Sequence, residues 1–195
     1  MDQQFTGFFG KVPSHGDFVS RRLPEAFLRP WDTWLQNGLQ HSRERLGERW
    51  LEVYLCSPVW RFALAAGVCG DQGWAGVMLP SVDRVGRYFP LTVAVAVASE
   101  DVPPFARLEQ DAQWYAQAER LALSTLVEGF TMTAFDSALK ALPPPSSLIR
   151  VEEGAAGHSL FWTEGSPLLA PSTVDVAGLP GASTFVDMLA GRSQE

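Results

Sequence analysis

From Phe89 to Ala98 the chain alternates large and small apolar side chains. Phe89, Leu91, Val93, Val95 and Val97 fall on one face, and Pro90, Thr92, Ala94, Ala96 and Ala98 on the other. A period of two marks a strand, and because neither face is polar the strand is covered on both sides and central in its sheet. The valine face offers bulk to one layer, while the alanine face lets a helix approach closely on the other. Trp74 to Leu79 is a second apolar run, and residues 60–66 alternate with Trp60, Phe62 and Leu64 on one side. With a glycine-rich turn at 67–73 between the first two runs, the simplest topology is an antiparallel meander over 59–66, 74–80 and 88–98.

Around this meander the pattern changes several times. Phe5 to Val12 reads as a short strand stopped by Pro13, able to join either edge, with Gly7 and Gly10 allowing close backbone approach. Ser14-His15-Gly16-Asp17 forms a turn, Gly16 supplying any positive φ and Asp17 holding it. Pro24 can open a helix, and a clearer helix follows Pro30, from Trp31 to Leu46, with Trp31, Trp34, Leu35, Gly38, Leu39 and Leu46 on its apolar stripe. Residues 48–55 suit a helical turn or a strand equally. Phe105 to Glu128 is rich in helix formers, with Leu108, Ala112, Tyr115, Ala118, Leu121, Ala122 and Leu126 on one face. Thr133 then caps a second helix that buries Phe135, Ala138, Leu139 and Leu142. Pro143-Pro144-Pro145 is a stiff break that separates an α/β domain over 1–142 from a C-terminal extension over 143–195, expected to pack on the same domain. In that extension 148–151 and 159–162 are strand-like and suggest a hairpin. The tail from Gly165 reads as loop until Ser183 caps a short helix, Thr184 to Leu189.

Charge and composition narrow the function. The formal charge of −7 argues against a nucleic-acid or anionic-lipid footprint, which needs a basic surface. No apolar run approaches a membrane span, and Met1-Asp2-Gln3-Gln4 does not begin a secretory signal, so a cytoplasmic protein without membrane insertion is expected. Cys56 and Cys69 lack metal-ligand spacing and read as free thiols. No phosphate-binding or dinucleotide glycine pattern is present, so neither cofactor nor metal is expected.

The polar residues with chemistry to offer sit in two places. Ser14, His15 and Asp17 lie within four residues, but a triad is assembled from separated positions, and no nucleophile elbow is present. A small hydrolase using Ser14, His15 or Asp83 is therefore the weaker alternative. The stretch Pro80 to Tyr88 sets Asp83, Arg84 and Arg87 on a connection between two buried strands, with Gly86 to turn the backbone. Asp83 can stiffen the turn by pairing with Arg84 or Arg87. A division of labour is expected, in which one arginine ties the loop to Asp17 and the other meets a partner. Together Arg84 and Arg87 could instead clamp an anion or phosphopeptide bidentately.

Four motifs in fixed order carry a resemblance. They are Gly7-Phe8-Phe9-Gly10-Lys11-Val12-Pro13-Ser14-His15-Gly16-Asp17-Phe18-Val19 with Arg21 and Arg22; Trp31-Asp32-Thr33-Trp34-Leu35; Ser57-Pro58-Val59-Trp60-Arg61-Phe62; and Pro80-Ser81-Val82-Asp83-Arg84-Val85-Gly86-Arg87-Tyr88-Phe89-Pro90-Leu91. The chain in this respect resembles the TagF (ImpM) family of type VI secretion-associated proteins, densely over residues 5 to about 95. The resemblance implies a three-layer α/β/α sandwich with a largely antiparallel or mixed central sheet and helices on both faces. It implies a cytoplasmic, non-enzymatic accessory protein that represses type VI secretion after translation by contacting a forkhead-associated scaffold protein. That contact opposes a threonine-phosphorylation route. Some relatives carry a fused PP2C-type phosphatase; this chain lacks the length and clustered aspartates for its two-metal site, which leaves such a phosphatase as a separate pathway. No catalytic residues carry over. The partner-binding residues expected are Asp17, Arg21, Arg22, Asp83, Arg84 and Arg87.

Overall fold

The structure is a computed structural model and describes residues 5–97, 111–145 and 157–191. Its elements in chain order are β1 (Gly7–Gly10), β2 (Val19–Arg21), α1 (Glu25–Leu46), a single 3-10 turn (Gly47–Arg49), α2 (Trp50–Leu55), β3 (Trp60–Leu64), β4 (Gly73–Leu79), β5 (Leu91–Val97), α3 (Ala112–Ser124), α4 (Met132–Ala141), β6 (His158–Thr163), β7 (Ser172–Ala177) and α5 (Ala182–Ala190). The strands form one sheet in the order β2-β1-β5-β4-β3-β6-β7, and every neighbouring pair is antiparallel.

The expected meander is the middle of this sheet. Ala75 pairs with Val95 and Val77 with Val93 across β4 and β5, and Ala63 pairs with Ala75 across β3 and β4. Every residue of β4 and β5 is buried, as a strand apolar on both faces requires. Two separate cores follow from the alternation. Ala94 and Ala96 join Phe27, Trp31, Trp34, Trp50, Tyr54, Phe62, Phe161 and Phe185, so α1, α2 and α5 cover one face. Leu91, Val93, Val95 and Val97 join Trp114, Tyr115, Ala118, Phe135 and Leu139, so α3 and α4 cover the other. The result is a mixed α/β sandwich with helices on both faces of an antiparallel sheet.

The small residues on the α1 side do a different job from the one expected. They accommodate aromatic rings rather than a closely approaching helix backbone. The Phe62 ring lies over Gly76, where an added Cβ would come within 2.2 Å of it. Trp31 sits 4.5 Å from Phe62 between ring centroids and donates its Nε1–H to Thr92 Oγ1 at 2.9 Å. A buried ring of this size removes on the order of 200 Å² from water, a gain of about 5 kcal/mol before the entropy of fixing it.

Several elements differ from expectation. Helix α1 begins at Glu25 and runs through Pro30. The lost Pro30 N–H falls near the helix start, and Phe27, fully buried with its ring 4.5 Å from Trp74, docks the first turn. Residues 47–55 are helical. The described part of the long third helix stops at Ser124, and Leu126 is exposed while Trp114 is buried; Leu108 lies outside the described residues. Thr131, not Thr133, caps α4, accepting from the Ala134 N–H. The hairpin partner of β6 is β7, in the stretch expected to be loop, whereas 148–151 lies outside the described residues. Gly181 rather than Ser183 stands at the N-cap of α5. Strand β1 joins the β5 edge of the meander, one of the two edges open to it, while its other neighbour β2 is a strand that no pattern had indicated.

Candidate functional site: a braced double loop with an exposed arginine

Pairing of β1 with β5 puts the end of one strand beside the start of the other. At Gly10 the backbone takes φ 137°, and a Cβ there would meet the Pro90 carbonyl, so this crossing admits only glycine. Two loops, 11–18 and 80–90, are thereby laid side by side. The Arg84 N–H donates to the His15 carbonyl at 2.8 Å, and an Arg87 guanidinium N–H donates to the Gly16 carbonyl. Tyr54, fully buried, anchors the base: its hydroxyl donates to the Ser81 carbonyl at 2.8 Å and accepts from the Ser81 N–H at 3.0 Å. Burial pushes the Tyr54 phenol well above its usual range.

Asp83 organises the upper loop. Its Oδ1 accepts from the backbone N–H groups of Val85 at 3.0 Å and Arg87 at 2.9 Å, and its Oδ2 accepts from Arg87 Nε at 2.7 Å and Lys11 Nζ at 2.9 Å. The Gly86 N–H closes the turn on the Asp83 carbonyl, with Gly86 at φ 87°. The Asp83 side chain is wholly shielded from solvent and that of Lys11 nearly so. Burial alone would favour the neutral acid, but Lys11, Arg87 and the Val85 N–H outweigh it and hold the carboxyl well below the usual range. A buried ion pair of this kind is tolerated because both lone-pair faces of the carboxylate are used.

Asp83 therefore pairs with Arg87 and not with Arg84, and the arginine that ties the two loops reaches the Gly16 carbonyl rather than Asp17. Asp17 is exposed and, among the described residues, accepts only from the adjacent Phe18 N–H at 2.8 Å. Gly16 is not needed for positive φ; a Cβ on it would come 3.3 Å from the Arg84 guanidinium, which lies against it. That guanidinium makes no hydrogen bond or ion pair among the described residues. Arg21 and Arg22 are held elsewhere, by Asp136 of α4 at 3.1 and 2.6 Å. Arg22 is the more committed of the two, since its Nε also donates to the Thr6 carbonyl and its backbone sits at φ 61°. Asp136 is buried, which works to raise its pKa, yet the hydrogen bonds and charges of Arg22 and Lys140 lower it below 3.8.

The outer surface of the double loop is apolar and cationic. Val85 is 65 % exposed and Phe18 44 %. The Phe18 ring stacks on Phe9 at 5.6 Å, meets Phe89 edge-on at 4.8 Å, and has Lys11 Nζ 5.0 Å from its centroid. Sequence spacing had not singled out Lys11, Phe18, Val85, Tyr54 or Asp136 for these roles. Lys11 and Asp83 are 72 positions apart, and only the β1–β5 register brings them together.

The same geometry answers the hydrolase alternative. Ser14 Oγ and His15 Nδ1 are 2.8 Å apart, but the pair is exposed, and among the described residues neither acid of the sequence candidates bonds to His15: Asp83 is occupied by Lys11, Arg87 and the Val85 N–H, and Asp17 accepts from the Phe18 N–H. A cavity of about 780 Å³ lies between β7 and α5, one of about 330 Å³ between α3 and α4, and a small apolar one beside Tyr54; none is lined by Ser14, His15 or Asp83. Among the described residues no three His, Cys, Asp or Glu side chains are grouped to hold a metal ion, and no helix is long and apolar enough to cross a membrane.

A family model described as the N-terminal domain of TagF, type VI secretion system-associated, matches residues 7–142. The crystal structure of PA0076 from Pseudomonas aeruginosa PAO1 is similar at a TM-score of 0.88 and 38 % identity, over 97 % of this chain and 96 % of that one. The likeness thus continues past the family model into the C-terminal elements. Comparison with curated protein sequences gives no match.

Proposed function

The chain belongs to the TagF family of type VI secretion-associated proteins, and from that premise we propose that it is a non-enzymatic, cytoplasmic negative regulator of type VI secretion. It acts after translation by binding a forkhead-associated scaffold protein, and the double loop 11–18 and 80–90 is the contact surface. The observation that carries the surface is Arg84: an exposed guanidinium with no hydrogen bond or ion pair among the described residues, on the same double loop as exposed Val85 and Phe18, which Asp83, Lys11 and Arg87 brace. Arginine and aromatic side chains on a rigid support are the residue types that anchor interfaces, since they join area with directed donors and lose little freedom on binding.

An anion or phosphopeptide clamp built from Arg84 and Arg87 together fits less well. Arg87 already spends two of its donors on Asp83 and on the Gly16 carbonyl, which leaves one arginine and not a pair. Of the remaining candidates, Arg21 keeps its side chain half exposed at the rim while bonded to Asp136, and Arg22 is turned inward. The proposal is tested by calorimetric titration of the purified chain into the purified forkhead-associated protein of the same secretion system. Saturable binding that is lost in a Phe18→Ala, Val85→Ala double variant supports it. Unchanged affinity in that folded variant, or no binding by the parent chain, contradicts it.

A further inference from the structure

At the far edge of the sheet from β2, strand β7 has a neighbour on one side only among the described residues. The Gly178 N–H donates to the Gly157 carbonyl. By the two-residue alternation of an antiparallel ladder, Ser172, Val174 and Val176 then bond to β6, and Thr173, Asp175 and Ala177 turn their N–H and C=O groups outward. The strand carries no lysine and no proline between Ser172 and Ala177, and its one charged residue is Asp175. Beside it the cavity of about 780 Å³ runs between β7 and α5. Its charged lining groups are Asp175 and Asp187, with no lysine or arginine among them. The Asp187 carboxylate takes no hydrogen bond or ion pair among the described residues, and Asp175 has only the exposed His158 ring at 3.4 Å.

We infer that β7 is a strand-addition site for an extended, β-forming peptide segment that carries a lysine or arginine, whose main chain pairs with Thr173, Asp175 and Ala177 and whose cation enters the cavity toward Asp187. Six residues of edge offer about 20 Å of ladder, and alternate side chains of an added strand point to the same face, so every second residue of the guest faces α5. Main-chain bonds supply affinity without sequence demand; the unpaired carboxylate supplies the preference for a cation. A second copy of this chain is disfavoured as the guest. In a two-fold antiparallel pairing centred on the outward-facing residues, Asp175 stands opposite its own copy, and like charges directly opposite destabilise a ladder. This site shares no residue with the double loop, so it stands or falls separately from the proposed scaffold contact.

The test uses the full chain and the fluorescein-labelled peptide Thr-Val-Lys-Val-Thr-Val-Lys-Val, read by fluorescence anisotropy. Saturable binding is expected, weakened about tenfold or more when both lysines are replaced by glutamate or when alternate backbone nitrogens are methylated. Asp187→Asn weakens the lysine peptide by about tenfold and leaves the glutamate peptide unchanged, as expected for loss of one ion pair. Thr173→Pro and Asp175→Pro, each removing an outward N–H and no bond to β6, abolish binding with an unshifted melt. No saturable binding, or equal binding of the lysine, glutamate and methylated peptides, overturns the inference, and the peptide series decides it even if both proline variants misfold. A concentration-dependent dimer in light scattering that Asp175→Pro dissolves would also overturn it, assigning the edge to a second copy.

Discussion

Replacing Gly38 by alanine sets two effects of known sign against each other. Gly38 lies inside α1, where alanine is favoured over glycine by about 1 kcal/mol through helix propensity. Were the site open, Gly38→Ala would stabilise the protein. It is not open: a Cβ at this position falls 2.5, 2.6 and 2.7 Å from three atoms of the Phe185 ring of α5, far inside van der Waals contact. Phe185 cannot swing aside cheaply, being 2 % exposed and held edge-on by Trp34 with centroids 5.3 Å apart. Overpacking of a filled core costs about 1–3 kcal/mol, so the clash outweighs the propensity gain and a net loss of about 1 kcal/mol is expected. For a chain of 195 residues that lowers Tm by about 2–4 °C in a calorimetric or circular-dichroism melt. The decisive arm is a double-mutant cycle with Phe185→Leu. In that background the ring is gone, the propensity term acts alone, and Gly38→Ala should raise Tm, reversing its sign. A rise in Tm in the parent protein, or the same shift in both backgrounds, would refute the claim that α5 is docked onto α1 through this contact.

Three further outcomes follow from the packing and the charges. Val95→Asp places a carboxylate at a fully buried position between β4 and the α3 layer, an unpaired burial costing several kcal/mol, comparable to the stability of a domain. Loss of soluble, cooperatively melting protein is expected, and a normal melt would show the strand is not covered on that face. Asp136 has a folded pKa depressed below its usual 3.8, so its contribution is full above that pH and is lost as pH falls through the folded value. Asp136→Asn should therefore flatten the acid limb of the stability curve below about pH 4, and a limb of unchanged slope would contradict the pairing with Arg22 and Lys140. Ser14→Ala should change stability by no more than about 1 kcal/mol and leave repression of secretion intact, since among the described residues the exposed Ser14 hydroxyl bonds only the adjacent His15; loss of repression in the folded variant would restore the hydrolase alternative.

What could be read from the chain and what could not divides along one line, the range of the interaction. The β3–β4–β5 meander was legible because alternation within five to seven residues reports burial on each face directly. The same reasoning missed β7: its half-buried, half-exposed alternation in Ser172-Thr173-Val174-Asp175-Val176-Ala177 is short, flanked by prolines, and stabilised by register with β6. Pro30 misplaced the start of α1 because local propensity counted for less than the burial of Phe27. In the double loop the local pairing of Asp83 with Arg87 was within reach of spacing alone. The buried Lys11, the Tyr54 anchor and the Asp136 clamp on Arg21 and Arg22 depend on partners 27 to 115 positions away, which leave no trace in local pattern.

The central claim is that the two arginines of the 80–90 loop have different work, Arg87 bonded to Asp83 and the Gly16 carbonyl within the double loop and Arg84 offered to a partner. Paired melts and titrations of Arg84→Ala and Arg87→Ala against the forkhead-associated scaffold protein test it most directly. Arg84→Ala should melt like the parent and bind at least about 30-fold more weakly, the loss of roughly 2 kcal/mol typical of an interface anchor. Arg87→Ala should melt at lower temperature, because Asp83 and the Gly16 carbonyl lose a donor. If Arg84→Ala binds as tightly as the parent while keeping its melt, the exposed guanidinium is not the contact and the account of the double loop is wrong.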